Sequence, residues 1–351
     1  MEQNNLILIS LLVFFNLFFY KYFLVIINKF KRNLLVDNQF KKPQAFHEFP
    51  VSTSGGLGLY FSFLILYFYL LLFNQAIYNE YLSFCTLFFL LGFSDDLKLN
   101  IRPKFRLIVM IFFLIILIIT SNLQIENTGI KYLNQFLKID IFSLFFMCLC
   151  FLFIINGSNL IDGYNGLLSI HILIILTNLL FVNFFNENFN FAFFIFCSIL
   201  IITIFLIYNF PRAKVFLGDS GSYFLGAFVA ITIIKTSILN PTISPFYFCI
   251  LLFYLFFEVF FSFFRKIIKE KKSPLFPDEK HLHMLIYKNL LIKNNSKFKS
   301  NYSVSIIINS AYFLLTIPAI FMMENGMFCK YYSLLFFAVY LLSYKFFYEK
   351  K

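Results

Sequence analysis

Residues 141–166 read IFSLFFMCLCFLFIINGSNLIDGYNG. The stretch starts as an apolar run broken only by Ser143 and ends in a cluster of Asn, Gly, Ser and Asp. A membrane β-strand needs only about 9–11 residues and alternates apolar with polar positions. This run is longer and does not alternate, so it reads as a lipid-embedded helix with a polar end. The pattern recurs along the chain, giving eleven candidate helices at about 6–27, 56–73, 78–93, 106–121, 141–156, 166–185, 191–209, 222–238, 245–264, 303–323 and 329–347. The third has the shortest apolar part.

Composition agrees. The 351 residues are 60% hydrophobic, 22% aromatic and 13% charged, with 57 Phe, no Trp and a mean hydropathy of +0.81. Soluble domains are about 45–50% apolar and about 25% charged, so a soluble globular enzyme is excluded. Disorder, which needs low hydrophobicity, is excluded as well. The expected fold class is all-α: a polytopic integral membrane protein of about eleven transmembrane helices, forming a single domain over 1–351.

The net charge of +12 would suggest nucleic acid in a soluble protein. In a membrane protein it reports topology, because basic residues are retained in cytoplasmic loops. Of the 29 Lys and Arg, 24 fall in one alternate set of loops, ten of them between Arg265 and Lys299. That bias places the N-terminus outside and the C-terminus in the cytoplasm, with no nucleic-acid partner. The first span follows Met1 without a basic leader or a small-residue cleavage site and reads as uncleaved. The six Cys lie mostly in apolar runs without CxxC spacing and read as small core residues.

Acidic residues are scarce, so their positions inform. Five clusters lie at expected cytoplasmic ends: loops of about 28–55, 94–105, 157–165, 210–221 and 265–302. Gly92-Phe93-Ser94-Asp95-Asp96 precedes Lys98, Arg102, Lys104 and Arg106. Adjacent carboxylates on a helix project about 100° apart, so they cannot share one task; alone, the pair reads equally as a solvated helix end. Asn156, Asn159 and Asp162 recur every three residues, one side of a helix, and their oxygens suit a hard cation such as Mg²⁺. The alternative there is a glycine-rich turn. Val215 to Ser222 sets Asp219 between Gly218 and Ser220 at the start of a helix, where a phosphate could approach the backbone; Asp219 could equally be an N-cap. His281 and His283 sit two apart in the long basic loop, a phosphate-binding pattern rather than the HExxH zinc pattern, or simply a solvated loop. Lys41-Lys42-Pro43 through His47 to Gly55-Gly56 is the weakest. Together these form a polar face at one membrane surface, with carboxylates and amides for a cation and Lys, Arg and His for phosphates. That is equipment for phosphoryl chemistry on a lipid-borne substrate.

These motifs resemble, in order, those of the polyprenyl-phosphate N-acetylhexosamine-1-phosphate transferases. These are WecA-like membrane glycosyltransferases related to phospho-N-acetylmuramoyl-pentapeptide transferase. The matching pieces are Gly55-Gly56, Gly92 to Asp96 with Lys104, Asn156 to Leu167, Phe216 to Ser222 and Asp278 to His283. The resemblance implies transfer of a sugar-1-phosphate from a UDP-N-acetylhexosamine to undecaprenyl phosphate, with release of UMP. This would be the first membrane step of a cell-envelope glycan at the bacterial inner membrane. It implies Asp95 and Asp96 beside the lipid phosphate, with Asp95 orienting or deprotonating the nucleophile. Asp219 and Asn159 would hold Mg²⁺, or Mn²⁺, with Asp162 in support. Asn165 and Phe216 would meet the uracil, and Lys104, Arg265, His281 and His283 the phosphates, with Asn156 and Gly218 completing the substrate site. A homodimer is a family-level expectation. The chain differs from the family pattern at Met284, where a further His is usual, and at Asn165, where many members have Asp. The muramoyl-pentapeptide branch usually has three consecutive His and ten spans. A different class, an ion-coupled transporter or flippase, would put its carboxylates near the bilayer midplane rather than at helix ends.

Overall fold

In a computed structural model of the chain, residues 2–29, 35–37, 50–73, 78–99, 101–273 and 278–350 are described. The Lys41-Lys42-Pro43 and His47 part of the weakest motif lies outside them. Among the described residues thirteen helices run in chain order: α1 Glu2–Lys29, α2 Gly55–Leu72, α3 Asn79–Asp96, α4 Pro103–Thr120, α5 Lys131–Phe136, α6 Asp140–Ile161, α7 Leu167–Phe185, α8 Phe189–Asn209, α9 Gly218–Leu239, α10 Pro245–Phe264, α11 Leu282–Asn294, α12 Lys297–Phe321 and α13 Gly326–Glu349. A π-helical turn, Arg265–Lys269, extends α10. In lipid the backbone must satisfy its own hydrogen bonds, which is why long apolar sequence becomes helix.

Ten of these helices are long and apolar enough to cross a membrane. The eleventh expected span is α3, which carries Glu80, Asp95 and Asp96 within 18 residues. It nevertheless runs beside α9 at both ends. Gly92 packs on the Asp219 backbone at one end, and Lys235 pairs with Glu80 at 3.3 Å at the other. The all-α polytopic fold is therefore as expected. The short α5 and α11 were not anticipated.

α9 is the hub, touching α2, α3, α6 and α7, and it is the most enclosed span. Its small residues Ser220, Gly221, Ser222, Gly226, Ala227 and Ala230 let neighbours come close. A Cβ on Gly92 would strike the Asp219 carbonyl, and one on Gly56 would strike the Gly221 amide nitrogen. Two-residue strands β1 (Val36–Asp37) and β2 (Val51–Ser52) pair antiparallel. The chain after β2 is then stapled to the approach of α9: Phe216 N–H donates to Ser52 O at 2.7 Å, and Gly55 and Gly56 N–H donate to Phe216 and Leu217 O at 2.9 and 2.8 Å.

Three boundaries differ from expectation in a way that shapes the site. α3 continues to Asp96, α6 continues to Ile161, and α9 begins at Gly218. Two of the expected loops therefore begin as helix and the third ends as helix, and the polar residues sit in or beside ordered terminal turns.

Candidate active site

The N-terminus of α2, the C-terminus of α3, the N-terminus of α4, the C-terminus of α6 and the N-terminus of α9 converge at one end of the bundle. Asp95 and Asp96 diverge there, as their adjacency on a helix demands. Asp96 accepts the backbone N–H of Asp219 at 2.9 Å and of Ser220 at 3.0 Å. It thus caps α9 from another helix, placing negative charge at the positive helix end. Gly218 at φ +77° permits this, since a Cβ there would press on the Asp96 carboxylate oxygens. Asp95 instead pairs with Arg106 of α4. The Arg106 guanidinium also lies 3.9 Å from Asp219 Oδ2 and over the Tyr223 ring, 5.7 Å from its centroid.

Asp219 is not the cap of the helix it opens. Asn159 Nδ2 donates to Asp219 Oδ1 at 2.8 Å and to Ser222 Oγ at 3.0 Å. Asp162 follows α6 as its C-terminal cap residue. No hydrogen bond or ion pair to its side chain comes from a described residue. Burial pushes its carboxyl above the ordinary range, and the charges of Asp219 and Asp96 push it further. Asp96, Asp162 and Asp219, from three separate segments, therefore share one electrostatic neighbourhood. Among the described residues no three of His, Cys, Asp or Glu close into a metal cage. Mg²⁺ commonly needs none, binding through one or two carboxylates plus substrate phosphates and water, so this donor set fits it.

The remaining expected residues spread outward. Lys104 is exposed on the first turn of α4. Asn156 Nδ2 bonds back to Leu152 O in its own helix at 2.8 Å. Asn165 is buried: its Nδ2 donates to Pro211 O at 2.8 Å and its backbone N–H to Asn301 Oδ1 at 2.9 Å. Phe216 is half-buried beside the α9 approach. Arg265 is buried with its terminal nitrogens on Glu270, at 2.6 Å, and on Asp278. Burial pulls the Asp278 carboxyl up, but the Arg265 bond and charge outweigh it and hold it below the usual range. His281 and His283 are buried with parallel rings 5.4 Å apart. His283 stacks edgewise on Tyr164 at 5.8 Å, two residues beyond Asp162, so the histidine segment abuts the carboxylate site.

Two groups beside these residues escaped sequence reasoning. Arg106 was one base among several after Asp96, and nothing local marked it as the one facing the carboxylates. Glu258 carried a usable signal: it is the lone carboxylate in the apolar run of α10, and ionisable residues inside membrane spans are functional by default.

These features define a multi-pass membrane protein with a carboxylate cluster at the converging ends of its spans. Residues 78–237, which contain every member of that cluster, match the model of glycosyl transferase family 4. The chain is 31% identical over 206 residues to an undecaprenyl-phosphate α-N-acetylglucosaminyl 1-phosphate transferase of Thermotoga maritima, covering 58% of this chain and 60% of that protein. It is 30% identical over 167 residues to a phospho-N-acetylmuramoyl-pentapeptide-transferase of Streptococcus pyogenes, covering 45% and 49% respectively. The chain thus spans between about half and 60% of the length of these relatives. Both belong to the group that the motifs resemble.

Proposed function

We propose that the protein transfers an N-acetylhexosamine-1-phosphate from its UDP-sugar to undecaprenyl phosphate, releasing UMP, at the cytoplasmic face of the bacterial inner membrane. The observation carrying this reading is that Asp96 of α3 holds the helix of Asp219, with Asp162 in their electrostatic neighbourhood and Arg106 set between Asp95 and Asp219. A nucleotide diphosphate and a lipid phosphate are both anionic. Bringing them together requires charge neutralisation and alignment more than covalent help from the protein.

In this reading Asp219 and Asp162 hold Mg²⁺ or Mn²⁺, and Asn159 keeps the Asp219 carboxylate in place. The ion supplies charge neutralisation for the diphosphate. Asp96 holds the α9 terminus, and with it Asp219, at the right depth. Asp95, held by Arg106, orients the acceptor phosphate, whose oxygen attacks the sugar-bearing phosphorus. The bond to the uridine-bearing phosphate breaks and its electron pair leaves with UMP. Lys104 stands open to a phosphate. Arg265, closed by Glu270 and Asp278, holds the histidine segment in place. Phe216 supplies the uracil with a ring face, and Asn165 fixes the loop beside it.

The test is UMP release by the purified protein in undecaprenyl-phosphate micelles across UDP-GlcNAc, UDP-GalNAc, 6-deoxy UDP-sugars and UDP-MurNAc-pentapeptide. Release from an N-acetylhexosamine donor supports the reading. Release from the pentapeptide donor alone moves the protein to the muramoyl branch. No UMP from any donor excludes the enzyme.

A further inference from the structure

Glu258 has no part in the mechanism above, yet it is 1% exposed and ringed by polar groups. Its Oε1 accepts the Leu282 backbone N–H at 2.9 Å and faces His281 Nδ1 at 3.2 Å. Its Oε2 accepts the hydroxyl of Tyr340 on α13. His283 Nδ1 lies 3.7 Å from Oε1 and 3.4 Å from the Tyr254 hydroxyl. One carboxylate thus joins α10, α11 and α13.

A carboxylate only accepts, so the His281 proton must sit on Nδ1. That fixes the tautomer and ring plane and leaves Nε2 as the working nitrogen. His281 Nε2 has no hydrogen bond among the described residues. Leu282 is the first residue of α11, and the preceding His281 makes no side-chain cap. Glu258 therefore also terminates the positive end of the helix that carries the histidines. Burial pushes the His283 imidazole down to about 3, so that ring is neutral. A buried ionic group is weak evidence of stabilisation, because desolvation can exceed the Coulombic gain. A four-partner carboxylate inside an apolar span therefore points to a task.

We propose that Glu258 is a positioning residue that acts through His281, setting its ring so that Nε2 meets the phosphates of the donor. This rests on the transferase reading. Within it, the active-site boundary extends into α10 and α13.

The experiment is a double-mutant cycle of Glu258→Gln and His281→Gln on the full-length protein, reading kcat/KM for the UDP-sugar alongside thermal stability. Each single variant is expected to lose about 10- to 100-fold, the usual scale for groups that orient a working side chain. The double variant should be no worse than the poorer single. Tyr340→Phe, which removes one bond to Glu258 and no charge, should lose several-fold with unchanged stability. It keeps the proposal testable should Glu258→Gln fold poorly. Losses that multiply, or wild-type kinetics in Glu258→Gln or Tyr340→Phe, overturn the proposal. Wild-type protein that releases no UMP overturns the transferase reading itself, a distinct result.

Discussion

The carboxylate of Asp96 accepts the backbone N–H of Asp219 at 2.9 Å, so one aspartate of the site holds the helix that carries another. Asp95, one position earlier, turns away to Arg106. The two should therefore fail differently. Asp96→Ala uncaps α9, and cap removal costs about 0.5–2 kcal/mol, with charged caps toward the upper end. Thermal melts in detergent should show Asp96→Ala less stable than Asp95→Asn, while both lose turnover. Equal stability of the two would contradict the assignment of Asp96 as the cap.

Gly92 gives a steric test of the same joint. Its absent side chain is what lets α3 lie on the first turn of α9, since a Cβ would meet the Asp219 carbonyl and the Ser220 Cα, at 2.6 Å from the latter. Backbone atoms cannot swing aside as a long side chain can. Gly92→Ala should therefore lower the melting temperature and reduce turnover at least tenfold. Wild-type turnover in that variant would mean that the α3–α9 approach is looser than described.

Asp162 offers a pH test. Burial first, then the Asp219 and Asp96 charges, raises its carboxyl above the ordinary range. The folded chain thus binds that proton more tightly than the unfolded one. The resulting stability is full below the unfolded carboxylate value of about 3.9 and is lost as pH rises through the raised one. Without divalent cation, Asp162→Asn should therefore gain stability relative to wild type as pH rises, while losing activity. Adding Mg²⁺ should stabilise wild type more than the variant. The readout is melting temperature across pH in chelator and in Mg²⁺. A variant that tracks wild type in both would remove Asp162 from the cation site.

Much of this was legible in the sequence. Apolar runs fixed the helices because lipid leaves the backbone no other option. The described parts of the five motifs gather at one end of the bundle, because polar residues at span ends are too few to be incidental. Asp95 and Asp96 were expected to point apart from helical geometry alone, and they do, one to Arg106 and the other to the start of α9. What stayed hidden was tertiary. A helix start near Asp219 was legible, but not its cap, which is Asp96, 123 residues away. Arg106 was indistinguishable from Lys98, Arg102 and Lys104 until α4 was placed against α3. Glu258 was visible as an odd carboxylate, but its partners lie on two later helices, and only packing brings them to it.

The central claim is that the three carboxylates form a cation-dependent site for breaking a UDP-sugar diphosphate. The most direct measurement is UMP release from UDP-N-acetylhexosamine and undecaprenyl phosphate by wild type and Asp219→Asn, each in Mg²⁺ and in chelator. UMP should appear only with wild type in Mg²⁺, and excess Mg²⁺ should not restore the variant. Equal release in chelator, or full activity in Asp219→Asn, would contradict the account.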